Sequence, residues 1–171
     1  GSRVSLSVGF IAAGVALIIG ICLGSIAGFY GGKVDLIIMR FVEIWVTLPT
    51  FFLIITIVAI YGSSILYIMM AIGFTSWTGD CKLIRGEVLK VRNMEYITAA
   101  NSIGLPNSQI IFRHVLPNAI APVLVSGAFA IAGAILLEAG LSFLGFGVSA
   151  TIVTWGSLLN EARGASNAWW L

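Results

Sequence analysis

Charge is scarce in this chain. Of 171 residues, 9 are Lys or Arg and 7 are Asp or Glu, 9% in all, against 59% hydrophobic. A soluble domain carries about 25% charged residues, so these side chains cannot cover a water-facing surface. That argues against a soluble enzyme and against a disordered tail. A mean hydropathy of +1.06 points instead to a polytopic membrane protein. The net charge of +2 offers little to a polyanion, so no nucleic-acid partner is expected. Cysteine is nearly absent. Cys22 lies in a long apolar run and Cys81 in a charged stretch, so they read as free thiols at different depths. Catalytic signatures are missing too. There is one histidine, His114, no HExxH, CxxC or GxSxG, and no pair of carboxylates on one intramembrane face. Gly31-Gly32-Lys33 lacks the spacing and hydroxyl of a phosphate-binding loop. No enzyme, catalytic residue or metal site is therefore expected. There is no initiator Met, and the end at Asn167–Leu171 looks cut, so the sequence reads as a fragment.

What is present is four apolar runs, at about 8–30, 44–61, 65–79 and 119–137. A helix needs about 20 residues to cross a hydrocarbon core of about 30 Å. The first and fourth meet that; the second and third extend into amphipathic flanks at 36–43 and 80–91. The runs do not alternate, which argues against barrel strands. Seven basic residues, Lys33, Arg40, Lys82, Arg85, Lys90, Arg92 and Arg113, fall in two loops on one side. The positive-inside rule puts those loops in the cytoplasm and segment 138–171 outside, with Trp155, Trp169 and Trp170 at the outer interface. The span centres hold no ionisable residue, and Glu138 is expected near the outer interface.

Gly20, Gly24 and Gly28 repeat at i+4 on the first span, leaving a face that another helix can approach closely. Ser126, Ala130 and Ala134 do the same on the fourth, and Glu138 continues that face. Each face suits packing within the chain or a seam against a second subunit. Pro49 removes a backbone donor and is expected to kink the second span, with a hinge as the functional alternative. Arg40 and Glu43, at i, i+3, are expected to pair.

The stretch 80–118 is too long for a turn and reads as helices on the cytoplasmic face. Segment 82–92 is basic and amphipathic and continues the third span; 94–103 has helical character. Gly104 is expected to stop that helix in a left-handed conformation, Pro106 to open the next, and Pro117 to end it before the fourth span. Ala99 and Ala100 are small enough for a partner to approach the backbone, and Glu95 and Arg113 can orient the contact. The surface has the chemistry of docking.

Thr98-Ala99-Ala100, then Gly104, then His114-Val115-Leu116-Pro117 resemble the cytoplasmic motif of ABC importer permeases: Glu-Ala-Ala, three residues, Gly, nine residues, Ile-x-Leu-Pro. Thr98 stands for the motif's Glu and His114 for its Ile, and Glu95 matches an acidic position just upstream. Tyr30-Gly-Gly-Lys-Val-Asp35, Arg85-Gly-Glu-Val-Leu89, Phe112–Asn118, Leu137–Gly147 and Trp155-Gly156 are similar to the dipeptide/oligopeptide/nickel permease family, in particular to its C-type permease. Asp80-Cys81 departs from the aromatic and small residues expected there.

The resemblance implies an all-α fold: a polytopic transmembrane helix bundle of the type I ABC importer permease kind. It implies a single permease domain over 1–171 with four spans, a coupling loop at 80–118, and the family's first and last spans missing. It implies an importer in a bacterial or archaeal cytoplasmic membrane, with a second permease subunit, two cytoplasmic ATPases holding ATP and Mg, and an extracytoplasmic solute-binding protein as partners. The coupling helices would then comprise Glu95, Thr98, Ala99, Ala100, Gly104, Arg113, His114, Leu116 and Pro117. Substrate stays open among dipeptides, longer peptides, nickel and related solutes. A secondary transporter or channel is the alternative. It is disfavoured by span centres without ionisable residues and by the lack of a detectable inverted repeat.

Overall fold

The computed structural model describes residues 1–147 and 152–164. Trp169, Trp170 and the chain's end lie outside the described residues. Those described form helices in the order α1 (Ser2–Tyr30), α2 (Gly32–Thr47), α3 (Thr50–Tyr61), α4 (Ile65–Ser76), α5 (Thr78–Arg92), α6 (Glu95–Ser102), α7 (Asn107–Ile110), a π-helical turn (Ile111–Val115), α8 (Leu116–Ala119), α9 (Ala121–Phe143) and α10 (Trp155–Gly164). No strand occurs among the described residues, so the all-α expectation is met.

By length and composition, α1 with 29 residues and α9 with 23 are each able to cross a membrane, and α2 and α3 qualify together as a broken pair. The second run is broken rather than kinked at Pro49. Leu48 (φ −80°, ψ 125°) and Pro49 (φ −64°, ψ 108°) are both extended, because the proline ring excludes its predecessor from the helical region.

The third run differs more from expectation. α4 has only 12 residues, about 18 Å. Only Trp77, itself helical at φ −68°, ψ −17°, separates it from α5. Cys81, Ile84, Val88 and Val91 form the buried stripe of α5, while Lys82 and Lys90 are exposed. The segment expected to open the cytoplasmic loop at 80 is thus a packed helix up to Arg92. The charges of this helix lie off its buried stripe or are paired.

The chain, read as one domain, divides into two compact units: Gly1–Val15, Pro49–Ser76 and Phe129–Leu171 in one, Ala16–Leu48 and Trp77–Ala128 in the other. α1 and α9 are long enough for their two ends to pack in different units. In the first unit, Val8, Ala12, Ile54, Val58, Ile68 and Ile72 form the core, with α3 and α4 as a hairpin. Trp155 N donates to Ser5 Oγ at 3.1 Å. Glu138 is fully buried on α9, where Ser142 Oγ donates to its Oε1 at 2.6 Å and Oε2 has no partner. Ala134 is in the same core and Ala130 is half-buried.

In the second unit the glycine face of α1 receives α5. A Cβ at Gly20 would stand 2.8 Å from Asp80 Cβ, one at Gly24 would collide with Ile84 Cγ2 and the Cys81 carbonyl, and one at Gly28 would lie 2.9 Å from the Arg85 carbonyl. Cys81 therefore lies alongside the level of Cys22. The two thiols differ in face, not in depth: both are free, Cys22 exposed and Cys81 buried. Asp80 is 6% exposed and accepts a hydrogen bond from Ser126 Oγ at 2.9 Å. An acidic side chain thus packs against Gly20 in the middle of α1.

Candidate functional site

The segment expected to dock stands on the C-terminal half of α5. Ile84, Val88 and Val91 of α5 meet Ile97 and Ala100 of α6, with Ile110, Val115, Ala119 and Val123, in one buried cluster. α6 starts after Met94, whose extended backbone (φ −78°, ψ 148°) turns the chain out of α5.

α6 ends in a Schellman motif. Leu105 N donates to Ala100 O at 3.2 Å and Gly104 N to Asn101 O at 3.0 Å, with Gly104 at φ +79°. Only a residue that tolerates the left-handed region can close this pattern. Leu105 packs back on the same cluster as Ala100. Pro106 (φ −67°, ψ 143°) then stands immediately before α7, next to the first-turn position expected for it.

Pro117 does not end the helix. The chain continues from α7 through the π turn and α8 into α9. Leu116 N bonds to Ile111 O, an i→i+5 closure. Proline at 117 has no N–H and its ring crowds the carbonyl four residues back. The wider π turn over Ile111–Val115 makes room for it without stopping the helix. Asn118 Nδ2 donates to the His114 carbonyl at 2.7 Å, so a side chain supplies a donor there.

The predicted residues do not all face one way. Glu95, Thr98, Ala99, Gly104, Arg113 and Pro117 are exposed, and His114 and Leu116 are half-buried. Ala100 is 5% exposed and belongs to the chain's own core, so it cannot be the close-approach position for a partner. Ala99 is the outward one of the pair. The outward face also carries apolar knobs that the motif did not single out: Met94, Tyr96, Ile103 at 75% exposure and Phe112 at 72%. The signal available in the sequence was their position off the 97/100 stripe.

Two further links brace the segment from behind. Arg85 donates to Asp35 from Nε to Oδ1 and from Nη2 to Oδ2, the latter at 2.6 Å. Asp35 sits in the first turn of α2, outside the apolar run at 44–61, where the helix dipole also favours an acid. The hydrogen-bonded Arg85 guanidinium holds its carboxyl below the usual carboxylate range, against some opposing burial. Arg92 Nη1 donates to the Phe29 carbonyl at 2.9 Å and, at 3.3 Å, to that of Gly28, satisfying carbonyls at the end of α1. The expected Arg40–Glu43 pair forms at 2.8 Å on the exposed side of α2. No group of three or more potential metal-ligating side chains occurs among the described residues.

Comparison with known proteins adds identity to this geometry. Residues 20–169 match the family described as binding-protein-dependent transport system inner membrane component. The chain is 40% identical over 161 residues to an oligopeptide transport system permease protein OppC of Haemophilus influenzae, covering 94% of this chain and 52% of that protein. It is 42% identical over 163 residues to a dipeptide transport system permease protein DppC of Alkalihalophilus pseudofirmus, covering 95% and 54%. It thus spans about half the length of these curated relatives. A solved structure of the MetNI methionine ABC transporter in inward-facing conformations shares the fold, with a TM-score of 0.73 at 14% identity over 97% of this chain and 87% of that one. The chain belongs to the family of binding-protein-dependent transport system inner membrane components.

Proposed function

We propose that this chain forms part of the translocation pathway of an ATP-driven importer for peptides or a related small solute such as nickel, and that segment 95–119 docks on a cytoplasmic ATPase. The observation that carries the reading is the two-sided build of α6 and the turns after it. One side is buried on α5; the other presents Ile103 and Phe112, both more than 70% exposed, beside the exposed Glu95 and Arg113. Large apolar side chains on a polar-rimmed face mark a protein interface.

The partners in this reading are a second permease subunit, two ATPases that bind ATP and Mg, and an extracytoplasmic binding protein that selects the solute. In this reading the nucleotide belongs to the ATPases. ATP-driven closure of the ATPases would pull on α6, and α5, braced to α1 and α2, would carry the movement into the spans. The break at Leu48–Pro49 is the proposed hinge. The membrane is the bacterial or archaeal cytoplasmic one, with Gln109 on the cytoplasmic side and Ser63 outside. Relatives named for oligopeptide and dipeptide transport favour peptides as cargo.

The test is ATPase copurification and peptide uptake with the full-length protein in its assembled transporter. Ile103→Ser with Phe112→Ser should leave membrane insertion intact and lose about tenfold or more in ATPase capture, as interface anchors do. Normal capture and uptake in the double variant would remove the docking assignment.

A further inference from the structure

α10 closes its own first turn. Thr154 N donates to Ser157 Oγ at 2.9 Å and Ser157 N to Thr154 Oγ1 at 3.2 Å, a reciprocal cap that meets backbone donors without help from another element. What seats this helix on the rest of the first unit is mostly polar. Trp155 N donates to Ser5 Oγ at 3.1 Å, Trp155 Nε1 to Ser2 Oγ at 3.3 Å and Asn160 Nδ2 to the Ser142 carbonyl at 3.4 Å. The Arg163 guanidinium stands over the Phe143 ring at 5.7 Å. Gly156 lies directly on α9, where a Cβ would stand 2.7 Å from the Ala139 Cα and carbonyl. The large apolar side chains of α10, Trp155, Leu158 and Leu159, are all exposed. A helix held by a few hydrogen bonds, with no large apolar side chain buried, belongs to the low-stability end of a fold.

Beneath α10 the packing leaves a polar group unmet. Ser142 is 6% exposed, and Gly147 and Gly156 both press on it. Its hydroxyl donates to Glu138 Oε1 at 2.6 Å, while Glu138 Oε2 is enclosed without a partner. The neighbours of this pair on α9, Ala134 and Leu141, belong to the apolar core. A buried polar atom without a partner has lost its hydration and gained nothing in exchange. The seated position of α10 therefore carries a cost that water removes once α10 lifts away from Ser142.

We propose that α10 is a lid on the end of α9, and that the half-satisfied Glu138–Ser142 pair beneath it biases the lid toward opening during transport. The inference uses no residue of the proposed docking segment, and only its uptake arm rests on the importer reading.

Ser5→Cys in a Cys22→Ser background supplies the reporter, because Ser5 is fully buried against Trp155 and Cys81 is buried. The experiment follows maleimide labelling of that cysteine in the assembled full-length transporter, where the rate tracks the open population. Gly156→Ala, which forces α10 off Ala139, should speed labelling about fivefold or more, the low end of an overpacking cost. Glu138→Met with Ser142→Ala removes both polar partners. It should slow labelling about fivefold or more, the low end of the penalty for an unsatisfied buried group. Peptide uptake should fall with it, while ATPase capture stays at the parent level. Equal labelling in all three proteins overturns the lid. Faster labelling or a lower melting temperature in the double variant overturns the bias, since the pair then holds α10 down. Slowed labelling with full uptake removes the lid from transport. Where Gly156→Ala does not assemble, the double variant decides.

Discussion

Arg85 meets Asp35 with two hydrogen bonds, joining the middle of α5 to the first turn of α2 across a sequence separation of 50 residues. The Asp35 side chain is 18% exposed and that of Arg85 31%, so the pair is screened less than a surface bridge. Asp35→Asn should destabilise by about 1–2 kcal/mol, between the value of exposed pairs and that of fully buried ones. Because folding depresses the Asp35 pKa, the contribution is complete above the ordinary carboxylate value and lost as pH falls through the lower folded one. Thermal melts of the detergent-solubilised protein should show wild type more stable than Asp35→Asn near neutral pH, with the gap closing below about pH 4. A gap that is the same at acid and neutral pH would contradict the charge-based account.

The glycine face of α1 makes a sharper prediction. A methyl group at Gly24 collides with Ile84 and the Cys81 carbonyl, whereas one at Gly14 meets nothing within 4 Å. Gly24→Ala should therefore cost about 1–3 kcal/mol by overpacking. Gly14→Ala should be neutral or gain up to about 1 kcal/mol from helix propensity. Melting temperatures of the two variants, measured side by side, check this, and equal values would mean that α5 does not lie in the groove.

The same face shows what was legible in advance. The i+4 spacing of Gly20, Gly24 and Gly28 marked a close approach but did not name the helix that makes it, because spacing carries no information about a partner distant in sequence. Gly104 was readable down to its backbone conformation, since a helix stop in the left-handed region is decided by local sterics. Pro117 was not. A proline can end a helix or be absorbed by a π turn, and which occurs depends on the packing of Ile111 and Val115. Ala99 and Ala100 look alike in the motif; only the phase set by buried Ile97 sends Ala100 inward. Asp80 was read as opening an amphipathic helical stretch on the cytoplasmic side; its burial at 6% exposure was not legible from the charges that follow it, although its neighbours along the buried stripe, Cys81 and Ile84, are apolar.

Asp80 and Ser126 should behave as a coupled pair. Ser126→Ala leaves a carboxylate oxygen in a nearly closed site without its donor, at a cost of about 1–3 kcal/mol. Asp80→Ala frees a hydroxyl that a helix can rebond to its own backbone, so it should cost less. The double variant should be more stable than the sum of the two losses predicts, with an interaction energy of at least about 0.5 kcal/mol. Strict additivity in chemical or thermal unfolding would show that the 2.9 Å contact contributes nothing.

The two adjacent alanines separate docking from folding. Ala100 is 5% exposed, packed with Ile84, Val88 and Ile97. A glutamate there buries a charge with no partner among those residues, which costs several kcal/mol. Ala100→Glu should therefore lower the yield and melting temperature of the membrane-inserted protein. Ala99 is exposed, so Ala99→Glu should fold as wild type does, within about 0.5 kcal/mol. If α6 docks on an ATPase, the same substitution places a longer, charged side chain where the partner comes closest. ATPase capture should then fall by about 10-fold, equivalent to about 1.4 kcal/mol. Gly104→Val is the intermediate case: a Cβ there meets no neighbour, but the residue sits at φ +79°, and strain of about 1–3 kcal/mol should loosen the turn without altering the spans. The measurement is melting temperature and ATPase capture on all three variants. The expected order of stability is Ala99→Glu above Gly104→Val above Ala100→Glu, with capture lost in every one. An Ala99→Glu variant that folds and captures the ATPase normally would place the docking contact elsewhere on the chain, even with the packing of Ala100 intact.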